Sequence, residues 1–452
     1  MTGKKPIVDV IIVGGGMAGL SACESLVKSD YNVVLVEANN YLGGRVYQAE
    51  YDSLPPIDMG GEIIHGCNTR VHKMAVEFNW DIEMLFDYVP EHGLEWIFMD
   101  GEMYPYHSTQ EDIISAYMFW GDFVYTNKPS EIAKEDTTAA EYFKKHAKTK
   151  VKSQHIFDMV FCQTEATTLD ALGGQEHSDF QNGWECGEGN FRLKHSHRQV
   201  VDFFRNECKG ASMKLKWPVK AINYSTSIIT VTNDNGEDLL AHTVIVTVPL
   251  TVLKDEDIAF VPQLPQDKLL AISKLQMFTG LKIVCFFDEK FWDKSIHLVF
   301  NCMSDISQLW MYEVTEKKTG EKRYVVTGFQ TAEYARQKVH MTGEEVKDIF
   351  LDNLNEMFGT KEKPTPATNH YLYYVYHHWS SNPFIRGAYS SPSLHARGQR
   401  QILAKPLQNR IFFAGEATRS RGDCATVSGA MESGIEAAND VKTALSFLKR
   451  CS

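Results

Sequence analysis

The chain has 452 residues, 43% hydrophobic and 23% charged, which sets it far from the composition of disordered chains and suits two or three cores better than one. Its 58 acidic and 46 basic residues give a formal net charge of −12, which opposes the attraction to phosphate behind non-specific nucleic-acid binding and favours cationic small molecules. No apolar stretch reaches the roughly 20 residues that cross a bilayer. The chain does not open on a signal-peptide pattern, and its nine scattered cysteines form no CxxC pair, the usage expected of reduced thiols in a cytoplasmic protein.

In chain order, Ile7 to Val13 is an apolar run that ends in Gly14-Gly15-Gly16-Met17-Ala18-Gly19. A helical stretch to Leu26 and a second apolar run from Asn32 to Glu37 follow. This pattern predicts a βαβ unit whose parallel strands are buried on both faces. In the motif Gly14-x-Gly16-x-x-Gly19 the first two glycines let the backbone turn and approach a pyrophosphate at the helix N-terminus, while Glu37 can bond a ribose hydroxyl. NAD and FAD share this device. Residues 76–190 are rich in aromatics, charges and helix formers. Thr243 to Val248 and Arg410 to Gly415 read as two more buried strands, so the nucleotide-binding core is expected to be assembled from separated segments.

Lys282 interrupts a run that otherwise reads as a buried strand, and a buried ammonium needs a partner or a lowered pKa. Residues 290–384 alternate as strands, such as Tyr371 to Trp379, around a helical segment from Gly343 to Phe358. From Thr426 onward Val427, Ala430, Met431, Gly434, Ile435, Ala438 and Val441 recur at helical spacing, and the start of that helix would aim free N–H groups at a ligand. The histidines, including His195/His197 and His377/His378, lack metal-ligand spacing, so no metal site is expected. The expected architecture is α/β: a discontinuous Rossmann-like lobe of residues 1–75, 195–289 and 385–452, interleaved with an α+β substrate-binding lobe of residues 76–194 and 290–384.

After Glu37 the chain continues Ala38-Asn39-Asn40-Tyr41-Leu42-Gly43-Gly44-Arg45-Val46. With Ile57 to Gly66, Val246 to Leu250, Trp379, Gly387 to Ser390, Phe413 to Thr418 and Ala425 to Ala430, it resembles the flavin-dependent amine oxidase family over nearly its whole length, and the His65-Gly66 ending is similar to that of animal-type polyamine oxidases. The resemblance implies FAD as cofactor. It assigns the binding to Gly14, Gly16, Ala18, Gly19, Glu37, Ala38, Gly44, Arg45, Gly60, Gly61, Val219, Trp379, Gly415, Glu416, Thr426 and Val427. Arg45 would contact the diphosphate, and the helix start near Thr426 would face the pyrimidine end of the flavin. Ala388 stands where monoamine oxidases carry the cysteine bonded to FAD, which implies a non-covalent cofactor.

Four residues take catalytic positions by the same resemblance. Lys282 would hold a water at flavin N5, His65 would bond the amine or accept its proton, and Tyr389 with Thr426 would form the two walls of the amine cage. Threonine at the second wall accords with polyamine oxidases and histone demethylases; the helical module and inserted hairpin of the latter find no space in 452 residues. Ile63 stands roughly where amino-acid oxidases use an arginine, leaving Arg70 or Arg386 as substitutes for that anchor. Glu62, Glu165, Asp170, Glu185 and Glu188 are candidate carboxylates for a cationic chain.

The implied reaction is oxidation of an amine, expected to be a polyamine. Hydride passes to flavin N5, the imine hydrolyses, and O2 is reduced to H2O2. A monoamine or L-amino-acid oxidase, or a catalytically silent FAD-containing interaction protein, is the alternative. The expected partners are the amine and O2, with neither nucleic acid nor membrane, and the sequence does not indicate an oligomeric state.

Overall fold

The structure, a computed structural model, describes residues 5–51, 53–87, 93–124, 136–146, 151–304 and 306–451. Strand β1 (Ile7–Val13), helix α1 (Met17–Val27) and strand β2 (Val33–Val36) form the opening unit. β1 pairs in parallel with β2 on one side and with Asp238–Val246 on the other, Ser212–Lys214 pairs beyond β2, and Ile411–Phe413 pairs with the end of Asp238–Val246. Val219–Asn223, Ile229–Asn233 and Ala259–Val261 complete a mixed eight-stranded sheet. The four runs expected in the nucleotide-binding core, Ile7 to Val13, Asn32 to Glu37, Thr243 to Val248 and Arg410 to Gly415, supply strands of it.

Successive side chains on a strand point to opposite faces. Val10 and Ile12 therefore pack with α1 and the C-terminal helix Val427–Cys451, while Ile11 and Val13 pack with Leu250, Ile258 and Ala271. Both faces are covered, which is why β1 carries no polar alternation. Ser21 Oγ donates to the Met431 carbonyl at 2.8 Å and ties α1 to the C-terminal helix.

A second, seven-stranded sheet runs in the order Tyr371–His378, Gly280–Phe287, Lys322–Thr331, Gln308–Thr315, Leu298–Asn301, Glu95–Met99 and Glu102–Pro105. Here the expected lobe boundary at residue 289 is corrected: Gly280–Phe287 pairs antiparallel with both Lys322–Thr331 and Tyr371–His378 and belongs to the second sheet. An apolar run buried on both faces carries no signal for which sheet takes it. Leu281, Ile283, Cys285 and Phe287 join one core, with Val346, Phe350 and Leu354 of the helix Gly343–Phe358. Val284 and Phe286 face Leu54, Ile57 and Met59, so Lys282, in step with them, is aimed at the same segment.

The helix Gly343–Phe358 starts with a capping box between Thr342 and Glu345. Of the eight cysteines whose side chains are described, seven are buried and Cys67 is exposed. Among the described residues no helix is long and apolar enough to cross a membrane. Ile12, 0% exposed at the centre of the first sheet, tests the packing. Ile12→Ala is expected to cost about 2–5 kcal/mol, read as a lower denaturant midpoint in chemical unfolding.

Candidate active site

The carboxyl ends of β1, β2 and Asp238–Val246 open onto a cavity of about 410 Å³. Gly14 turns the chain there at φ +112°, and a Cβ at Gly19 would lie 1.9 Å from the Gly14 carbonyl oxygen, so both positions require glycine. α1 begins at Gly16 without a side-chain cap, and Gly16, Met17 and Ala18 line the cavity, so free N–H groups and the positive end of the helix dipole are presented to it. A Cβ at Gly16 would meet nothing nearer than Gly44 Cα at 4.0 Å and would project into that space. The Glu37 carboxylate is fixed at the rim by the Gly15 N–H at 2.6 Å and the Asn39 N–H at 2.8 Å. An uncapped helix start, an open glycine wall and a fixed carboxylate fit a dinucleotide: α1 would hold the diphosphate and Glu37 a ribose hydroxyl.

Beyond Gly44 in the same wall, Arg45 Nη1 donates to Glu416 at 2.8 Å and to the Ala388 carbonyl at 2.9 Å. Glu416 also accepts from the Ser390 N–H at 3.2 Å and from Ser390 Oγ, which in turn accepts from Arg400. Arg400 pairs with Glu176 at 2.8 Å. Burial pushes Glu416 up, but Arg45 and Arg400 outweigh it and hold the carboxyl below its usual range. Thr426 Oγ1 accepts from the Gly429 N–H at 2.9 Å and donates to the Asp423 carbonyl at 2.7 Å, so its hydroxyl caps the C-terminal helix. Tyr389 donates to the Thr164 carbonyl at 2.7 Å, and burial, reinforced by Glu165, pushes its phenol up.

Fourteen of the residues expected at the site line this cavity: Gly14, Gly16, Ala18, Glu37, Ala38, Gly44, Arg45, Gly61, Val219, Tyr389, Gly415, Glu416, Thr426 and Val427. Gly19, Gly60, Trp379, His65 and Lys282 lie outside its wall. Trp379 backs that wall, its indole N–H donating to the Met59 carbonyl at 3.2 Å. Lys282 Nζ donates to the Asp58 carbonyl at 3.0 Å, the Gly60 carbonyl at 3.1 Å and Glu62 Oε2 at 2.6 Å. His65 Nδ1 lies 2.7 Å from Asn190 Oδ1. Burial lowers the His65 pKa against that bond and so favours the neutral ring; with Asn190 Oδ1 as the acceptor, Nδ1 carries the proton and Nε2 the lone pair.

The other candidates divide sharply. Glu62 is not a channel carboxylate: it is buried and spent on Lys282. Asp170, Glu185 and Glu188 are exposed. Glu165 is half-buried, and burial, reinforced by Glu176 and opposed by Arg400 and Gln181, raises it to about 7. Arg70 lies 3.8 Å from Glu432, and Arg386 pairs with Asp257 at 2.5 Å and Asp255 at 3.0 Å. Sequence reasoning missed Arg192 and Trp310, which complete the surroundings of Glu62. The signal was the buried lysine itself, which demanded an anion without naming it.

The family model for flavin containing amine oxidoreductases matches residues 17–442. Lysine-specific histone demethylase 2 of Homo sapiens is 26% identical over 455 residues, covering 96% of this chain and 53% of its own. The chain thus spans about half the length of the demethylases it matches. Polyamine oxidase 3 of Oryza sativa subsp. japonica is 26% identical over 466 residues, covering 97% of this chain and 90% of its own. Among solved structures, putrescine oxidase bound to putrescine and cyclohexylamine oxidase from Brevibacterium oxydans superpose with TM-scores of 0.78 and 0.79 at 18% identity. They cover 97% and 98% of this chain and 100% of their own, a likeness in fold.

Glu165 gives the site a measurable pH signature. Its folded pKa is raised, so the folded state holds the proton where the unfolded chain has lost it, and stability falls as pH rises from about 4.5 to about 7. The loss is on the order of 3 kcal/mol. Glu165→Gln is expected to flatten that part of the thermal midpoint against pH.

Proposed function

Because this chain belongs to the flavin containing amine oxidoreductases, with FAD as cofactor, we propose that it oxidises a polyamine and passes the electrons to O2 with release of H2O2. FAD, when bound, supplies the hydride acceptor. The glycine turn, Glu37 and Arg45 would hold its phosphates and ribose, and the start of the C-terminal helix would set a partial positive charge beside its pyrimidine end. The free lone pair of His65 suits it to accept a hydrogen bond or a proton from the amine. The reacting nitrogen must be unprotonated, since only its lone pair can assist loss of hydride from the adjacent carbon.

The observation that carries the choice of amine is that Arg70 and Arg386 both face acidic partners, while Ile63 cannot hold a carboxylate. That weighs against an amino-acid substrate. The net charge of −12 favours a polycation, as do polyamine oxidases among the relatives. The cysteine usage supports a cytoplasmic setting.

The test is peroxide release by the FAD-loaded protein on spermine, spermidine, their acetyl forms, monoamines and L-amino acids. Turnover is expected to be fastest on a polyamine. Faster turnover of an amino acid or a monoamine overturns the substrate class, and no turnover of any of them with FAD bound supports the silent flavoprotein instead.

A further inference from the structure

The sequence directs attention to Lys282, but the structure places an equally buried acid against it. Lys282 and Glu62 are each 2% exposed, and their charged atoms lie 2.6 Å apart. An ammonium has three N–H donors. Asp58, Gly60 and Glu62 take all three. Trp310 closes the pair from the side, its ring centre 5.0 Å from Lys282 Nζ and its N–H donating to Glu62 Oε2 at 3.3 Å.

A second cation is near but is engaged elsewhere. Arg192, 6% exposed, donates to Glu83 at 2.5 Å and stacks on Tyr312 at 3.8 Å, while its Nε stays 3.7 Å from Glu62 Oε1. Neither Arg192 Nε nor Glu62 Oε1 has a hydrogen-bond partner. The carboxylate is therefore drawn to the lysine and only approached by the arginine. Glu83, 33% exposed, completes a line of alternating charges that sums to zero from the surface inward. The Asp58 carboxylate, also close, is held by the His197 N–H at 3.0 Å and by Gln48 at 2.8 Å.

Lys282 bonds the carbonyl of Gly60, one residue before Gly61 on the cavity wall. A free cation behind that wall would favour the reduced, anionic form of a flavin and raise its reduction potential; a counterion in contact with it cancels most of that field. We propose that Glu62 is a positioning residue: it holds Lys282 against segment 58–62 as a neutral pair, and so keeps the reduction potential of bound FAD below the value that an unpaired ammonium would set. Lys282 is thereby a charge with its donors spent, and a water at the flavin would have to displace one of its three bonds.

The inference rests on FAD in the cavity and not on the identity of the amine, so its test uses no substrate. The reduction potential of bound FAD is measured by dye equilibration in the wild-type holoenzyme and in Glu62→Gln, Lys282→Met and the double variant. Thermal midpoints of the four apoproteins are measured alongside. Glu62→Gln is expected to shift the potential up, Lys282→Met to shift it down, and the double variant to return it close to wild type. The apoprotein midpoint should fall in each single variant and recover in the double.

Potentials that stay put with FAD bound, or that move in the same direction in both single variants, overturn the proposal and leave the pair a packing feature. If a single variant does not retain FAD, the charge-conserving Glu62→Asp and Lys282→Arg are read with the double variant, and a shifted potential in all three likewise overturns it. Opposite shifts in a protein that oxidises no amine would count against the proposed substrate class alone.

Discussion

The contact between Arg45 and Glu416 joins residues 371 positions apart, and the nucleotide cavity depends on it. Glu416 is buried, and a buried carboxylate is tolerated only where cations and hydrogen bonds replace its water. Arg45, Ser390 and, one step further, Arg400 with Glu176 supply those replacements. Five separated stretches of chain must therefore meet before any of these charges is satisfied. The groove between the glycine turn and the C-terminal helix forms as a consequence of that meeting.

A similar economy governs the other face of the groove. Segment 57–62 is short and has little regular structure, yet it accepts Lys282 from the second sheet and the Trp379 indole, and it sends Glu62 back toward Trp310. Its backbone carbonyls, which a strand ladder would otherwise consume, are what make it a receptor for a cation. The seven-stranded sheet is joined to this segment by polar bonds set among apolar side chains, with Val284 and Phe286 packed on Leu54, Ile57 and Met59. Such an arrangement fixes the approach of the lobes more narrowly than apolar contact alone, because each buried donor must find its own acceptor.

Much of this was legible in the sequence, and what was not shares one physical cause. The βαβ unit, the helix Gly343–Phe358 and the C-terminal helix are written in local periodicity and turn chemistry, so they could be placed residue by residue. The strand Gly280–Phe287 was recognisable as a strand but not as a member of the second sheet, because its partners lie about forty and ninety residues downstream. The same limit hid the partner of Lys282 and the acidic partners of Arg386. The resemblance named positions, while the structure showed which hydrogen bonds those side chains had left to give.

The central claim is that the two ends of the chain, together with the mid-chain stretches 217–220, 247–258 and 383–389, build one FAD groove closed by Arg45 and Glu416. The dissociation constant of FAD from Glu416→Gln, set against wild type in a titration of apoprotein followed by flavin fluorescence, tests it most directly. The account predicts binding weakened by about tenfold or more, since Arg45 loses its anion and its place. An unchanged constant would mean that the groove holds its cofactor without that contact, and would contradict the account.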